Sequence, residues 1–153
     1  MQIREDDLTG DDIAALLAEH LEEMHEITPP GSVHALDLES LRGPQMSFWS
    51  IWEGEALVGC GALKQLAPRE GEIKSMRTAR AHRRKGVAAR MLTHILEVAR
   101  ARGYERLYLE TGALPAFEPA RTLYARYGFE PRGPFGDYTD DPNSAFMSLA
   151  LDA

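Results

Sequence analysis

The apolar period of this chain changes once, in its middle, and that change constrains the fold more than anything else. From Met46 to Thr78 the pattern is strand-like. Beyond Arg83-Arg84-Lys85-Gly86 it becomes helical: Val87, Met91, Ile95 and Val98 fall on one face, joined by Ala88, Leu92 and Ala99. Gly103 is a natural end for that helix. A strand, a basic glycine turn and an amphipathic helix, in that order, require a sheet with a helix packed on it.

The other elements follow the same reading. Gln2 to Glu5 reads as a first strand, and Thr9 as the N-cap of a helix that carries Asp11 and Asp12 in its first turn. Ile13, Leu16, Leu17, Leu21 and Met24 give that helix its apolar face, and Thr28-Pro29-Pro30-Gly31 stops it. Asp37 to Leu41 reads as a short second helix. Met46–Glu53 and Ala56–Leu66 form a hairpin about Glu53-Gly54-Glu55, and Glu72–Thr78 follows a turn at Pro68–Gly71. Trp49 and Trp52 point to opposite faces of their strand, so at least one belongs to the core. Arg106–Thr111 is a strand, Pro115–Tyr127 a helix closed by Gly128, and Phe129–Arg132 and Ser144–Leu151 the last strands. The expected fold is a single mixed α/β (α+β) domain over residues 1–153, with about seven strands and about four helices.

Charge narrows the function. The net charge of −7 disfavours nucleic acid or an anionic membrane as a partner. Yet Arg77, Arg80, Arg83, Arg84, Lys85 and Arg90, with His82, form an island free of acids, which fits a local anionic ligand. The early amides of the following helix lack intrahelical partners, Gly86 allows close approach and Ala88 keeps the surface small. Together they make a phosphate cradle of backbone N–H groups. The pattern of a dinucleotide-binding enzyme is missing, because no G-x-G-x-x-G follows the first strand. The single cysteine, Cys60, lies in an apolar run and reads as a buried, inert thiol; with no apolar leader, a cytoplasmic location is expected. The five histidines and one cysteine show no metal-ligand spacing, so no metal is expected.

Arg83-Arg84-Lys85-Gly86-Val87-Ala88 resembles the R/Q-x-x-G-x-G/A motif of the GNAT acetyltransferase superfamily. Ala120-Arg121-Thr122-Leu123-Tyr124-Ala125-Arg126-Tyr127-Gly128-Phe129 resembles its A-x-x-L-Y-x-x-x-G-F element. The order of elements agrees over nearly the whole chain. Pro29-Pro30, His34-Ala35-Leu36, Phe135-Gly136-Asp137-Tyr138 and Asp141-Pro142-Asn143-Ser144 look closest to a small bacterial YsnE-type branch.

The resemblance implies acetyl-CoA as co-substrate and a small amine as acceptor. It places the diphosphate on the amides of Arg84, Lys85, Gly86, Val87, Ala88 and Ala89, with Arg83 in the motif. The pantetheine would lie along Met76-Arg77-Thr78, where this strand and the next splay apart, and the Met76 amide would polarise the thioester carbonyl. Tyr124 is implied as general acid, against a plain role as core aromatic. Glu72 is implied as base, with Glu110 as rival, and a solvated or acceptor-binding carboxylate as the plainer reading. Phe117 stands where many members have an asparagine that contacts the cofactor; it can pack on pantetheine without those hydrogen bonds. The acceptor side would draw on His34, Asp137 and Tyr138, with His25, Asp140 and Asp141 in the same segments; taken singly, each reads more simply as part of a solvated loop or as an ordinary surface His. Members of the superfamily often dimerise, which makes a homodimer compatible. A domain of the same fold that binds acyl-CoA without turnover is the alternative.

Overall fold

In the computed structural model, residues 1–27 and 40–151 are described. The strands are β1 (Gln2–Glu5), β2 (Met46–Glu53), β3 (Ala56–Ala67), β4 (Glu70–Thr78), β5 (Arg106–Gly112), β6 (Glu130–Arg132) and β7 (Ser144–Ala150). The α-helices are α1 (Asp11–Ile27), α2 (Val87–Ala101) and α3 (Glu118–Arg126). One seven-stranded sheet runs β1-β2-β3-β4-β5-β7-β6. Among the described residues only β4 and β5 are parallel. α2 is the crossover between them, as parallel neighbours require.

The sheet separates two apolar layers. On one face, Trp49, Ile51, Val58, Leu63, Ile73, Leu107 and Leu109 pack against Met91, Leu92 and Ile95 of α2 and Tyr124 of α3. On the other, Phe48, Cys60 and Ala62 meet Ile13 and Leu16 of α1. Trp49 is the core tryptophan, edge-on to His94; the Trp52 indole N–H instead donates to Ser50 at 2.8 Å.

Several boundaries differ from expectation. Gly10, not Thr9, precedes α1, and the Thr9 hydroxyl donates back to Asp7 at 2.6 Å. Among the described residues there are three α-helices, in line with about four; where the second was expected there is a 3₁₀ turn at Ser40–Arg42, and the Asp37–Glu39 part lies outside the described residues. The third helix is divided, a 3₁₀ turn over Pro115–Phe117 leading into α3, where Pro119 occupies an early position that needs no N–H donor. β4 starts at Glu70, so the preceding turn is shorter than Pro68–Gly71.

Candidate active site

The site is built where β4 and β5 part. Their pairing runs from Glu70 beside Arg106 to Ile73 beside Leu109 and goes no further, although both strands continue. The cause lies in β4. Its register against β3 skips between Lys74, opposite Ala62, and Arg77, opposite Cys60, leaving Ser75 and Met76 against Gly61. Such an extra residue bends the strand. Ser75 sits at φ +53°, a left-handed conformation that typically costs a non-glycine residue about 1–2 kcal/mol. The buried Cys60 thiol donates to the Ser75 carbonyl at 3.2 Å, and burial pushes that thiol up to about 12, so it stays a donor. Gly61 is needed opposite the bulge, because a Cβ there would stand 2.7 Å from Met91 and 2.9 Å from the Met76 sulfur.

Past Thr78 the chain turns over the end of the sheet into α2. Arg84 at φ +67° and Gly86 at φ +79° give the turn two left-handed residues. Alternating conformations of this kind point successive N–H groups into one concavity. Gly86 precedes α2 without a side-chain cap, and the first helical bond runs from Arg90 N–H to the Gly86 carbonyl at 3.0 Å. The amides of Val87, Ala88 and Ala89 come before it. Arg83 to Gly86 are exposed, and a Cβ on Gly86 would meet nothing within 4 Å. The turn therefore fits an extended anion such as a diphosphate: it is open, rich in N–H groups and flanked by Arg84 and Lys85.

The basic island divides in two. Arg77, Arg80 and Arg83 turn toward α1, where all three donate to Glu23, at 2.7, 3.0 and 2.6 Å. Arg77 also reaches Glu19 at 2.9 Å. The three guanidiniums hold the Glu23 carboxyl far below the usual carboxylate range. Arg84 and Arg90 form no ion pair among the described residues, and Lys85 contacts the His82 ring at 3.2 Å. The Arg83 and Arg77 side chains, expected at the cofactor, are thus committed to α1.

At the splay, on the α1 face, Tyr138 donates to Glu72 at 2.7 Å, and Lys74 donates to Glu72 at 2.9 Å and to Tyr138 at 2.8 Å. Glu72 is buried, not a solvated strand-end acid. Phe135 and Phe146 pack against the Tyr138 ring. Burial, then the charge and hydrogen bond of Glu72, push the Tyr138 phenol well above its ordinary value, so it remains a donor. Glu110, two residues beyond Tyr108 on the same face, has its carboxyl pushed up to about 7, chiefly by burial. Ser144 and Lys74 pull it down, while Glu72 and Asp141 push it further up.

Tyr124 lies across the sheet in the core, its ring edge-on to Phe129 at 5.7 Å. Its hydroxyl makes no hydrogen bond among the described residues, and burial alone raises the phenol far above its usual value. Phe117 covers the end of β5: its ring lies directly on Gly112, where a Cβ would collide with it. Asp137 is exposed and lines a separate cleft of about 520 Å³ with Lys64, Glu70, Tyr108 and Arg132. Of the expected acceptor residues, Tyr138 and Glu110 come together with Glu72; Asp137 stands apart, and His34, with Pro29 and Pro30, lies outside the described residues.

Three residues escaped the sequence reading. Lys74 pairs with Glu72, a contact that i, i+2 spacing on a strand could have signalled. Glu23 had no local signal, because its partners are 54 to 60 positions away. Arg121, inside the A-x-x-L-Y element, donates to the Gly112 carbonyl at 2.6 Å and the Leu114 carbonyl at 3.1 Å, and so ties α3 to the end of β5 that has parted from β4. Among the described residues no group of His, Cys, Asp or Glu is placed to hold a metal ion.

A mixed sheet whose one parallel pair splays, with an amide-lined glycine turn leading into the crossover helix, is the architecture of the GNAT acetyltransferases. The chain belongs to that family: residues 12–129 match the Acetyltransferase (GNAT) family. It is 58% identical to the uncharacterized N-acetyltransferase YsnE of Bacillus subtilis (strain 168), over 99% of this chain and 100% of that one. It is 37% identical to an IAA acetyltransferase of Azospirillum brasilense over 92% of each chain. Among solved structures, a Bacillus subtilis acetyltransferase in complex with CoA superposes with a TM-score of 0.69 at 17% identity, covering 98% of both chains.

Proposed function

We propose that this protein transfers an acetyl group from acetyl-CoA to the amine of a small acceptor. One observation carries the reading: the open turn at Gly86, with the amides of Val87 to Ala89 ahead of the first helical bond, follows the strand that leads to the splay. A diphosphate on that turn directs the rest of the cofactor along Met76-Arg77-Thr78. The YsnE relative's name and the CoA complex of the Bacillus subtilis neighbour support the same cofactor. A cytoplasmic location goes with the buried, unpaired Cys60.

Each group then has a task suited to its surroundings. The Met76 amide, on the bulge, donates to the thioester oxygen as negative charge develops there. Phe117 covers the β5 side of the slot as an apolar wall for the cofactor arm. Glu110 takes the proton from the acceptor ammonium, since a carboxyl at about 7 can both accept a proton and pass it on near neutral pH. Glu72 is less suited to be the base, because Lys74 and Tyr138 already occupy its Oε2; it orients Tyr138 as a wall of the acceptor pocket. Tyr124, kept as a neutral phenol by burial, returns a proton to the departing thiolate from the opposite side of the sheet.

The test is release of free thiol from acetyl-CoA in the presence of mixed small amines, with product masses identifying the acceptor. Tyr124→Phe is expected to lower turnover by about 10²–10⁴ while CoA affinity stays unchanged. CoA binding without turnover over a broad amine panel supports a silent acyl-CoA-binding domain instead.

A further inference from the structure

We infer that Glu23 of α1 is a positioning residue for the cofactor turn, acting through Arg83 and Arg80. This rests on the proposed binding of CoA at Gly86. Arg77, Arg80 and Arg83 recur at intervals of three along a segment that runs from the end of β4 through the 3₁₀ turn at Arg80–His82 into the glycine turn. That spacing brings them to one side, facing α1. The cations that follow, Arg84 and Lys85, are exposed and make no ion pair among the described residues.

The contacts are graded. Arg77 is 8% exposed and bridges Glu19 and Glu23, fixing the end of β4 against α1. Arg80 and Arg83 are 59% and 44% exposed, and among the described residues their guanidiniums bond to the Glu23 carboxylate alone. Glu19 adds a backbone contact, accepting from the Arg80 N–H at 3.2 Å. Glu19 and Glu23 meet the three guanidiniums directly, and Glu26 adds its charge near Arg80. Exposed ion pairs taken singly contribute little, but one carboxylate shared by three partners holds a network. Arg83 stands three residues before Gly86, so a fixed Arg83 leaves little freedom in the turn that presents the α2 amides. Affinity gained in this way comes from ordering the site before binding.

The opposite effect is also physical. Removing a negative charge raises the local positive potential and attracts an anion. Salt at about 0.15 M screens exposed charges over roughly 8 Å and weakens that attraction, and the expected balance falls on the loss of order. In Glu23→Gln the dissociation constant for CoA, measured by calorimetry, is expected to rise about tenfold, the equivalent of one or two loosened side chains. Turnover at saturating acetyl-CoA stays close to wild type. Glu22→Gln, one position away and exposed, leaves the constant unchanged. A double-mutant cycle with Arg83→Gln is expected to be non-additive in CoA affinity, because both changes remove the same contact. Should Glu23→Gln fail to fold by circular dichroism, Arg83→Gln alone still carries the test, since it leaves the Arg77 and Arg80 pairs intact. Unchanged or tighter CoA binding in a folded Glu23→Gln or Arg83→Gln variant overturns the inference. Absence of CoA binding in the wild-type protein overturns instead the reading on which it rests.

Discussion

Glu110 and His20 show what burial does to single ionisable groups in this fold, and their effects run in opposite directions. The folded Glu110 carboxyl lies near 7, above its ordinary 4.5, so the folded state holds a proton that the unfolded chain releases earlier. Stability from this group is complete below about pH 4.5 and is lost as pH rises toward 7. The loss amounts to about 2–3 kcal/mol and is absent from Glu110→Gln, so thermal midpoints of variant and wild type should separate between pH 5 and 7.5. The same substitution removes the proposed base. It is expected to lower kcat/KM by about 10²–10⁴ and to abolish a rise in rate through about pH 7. His20 is held neutral, at about 4 against an ordinary 6.5, first by burial and then by Arg77. Its contribution is present above pH 6.5 and lost as pH falls to 4. His20→Leu is therefore expected to lose less stability than wild type on acidification over that window, read from denaturation midpoints at pH 4 and 7. Glu110 and Glu72 were both visible in the sequence as strand carboxylates. Which of them is paired was not, because Tyr138 arrives from 66 residues away.

At the scale of elements, the glycine turn was the most legible part of the chain. Gly86, between a strand and an amphipathic helix, needs no distant partner to be recognised. Gly86→Asp tests it: no neighbour obstructs the new Cβ, so the fold should persist, with about 1–2 kcal/mol lost to the left-handed backbone. CoA affinity should fall much further, since both bulk and charge oppose a diphosphate; calorimetry showing unchanged affinity contradicts the cradle. The bulge in β4 was less legible. Its position depends on Cys60 and Gly61 of the neighbouring strand, and the Cys60 thiol that reads as inert in sequence serves a backbone carbonyl. The α1 cap was misread: Thr9 has the right side chain, but the helix begins at Asp11 and the Thr9 hydroxyl donates back to Asp7. The third helix begins as a 3₁₀ turn, and Phe117 at that junction lies on Gly112, a contact between elements.

For the whole molecule, the sheet separates two sets of groups. The cradle and Tyr124 belong with α2 and α3, while Glu72, Lys74, Glu110 and Tyr138 lie on the face of α1. A cofactor that bridges them binds only the folded chain. CoA at about 100 times its dissociation constant should add about 2.7 kcal/mol, seen as a rise of roughly 5–10 °C in thermal midpoint, a shift that Gly86→Asp should largely remove at the same concentration. The sequence by itself determined the strand and helix order, the exposed amide turn and the family, because periodicity, glycine and capping chemistry act over a few residues. Only the tertiary structure decided how the basic island divides between Glu23 and the open turn, and which carboxylate at the splay is paired. Ion pairs and desolvation depend on groups brought together from distant positions, and no local pattern encodes that distance.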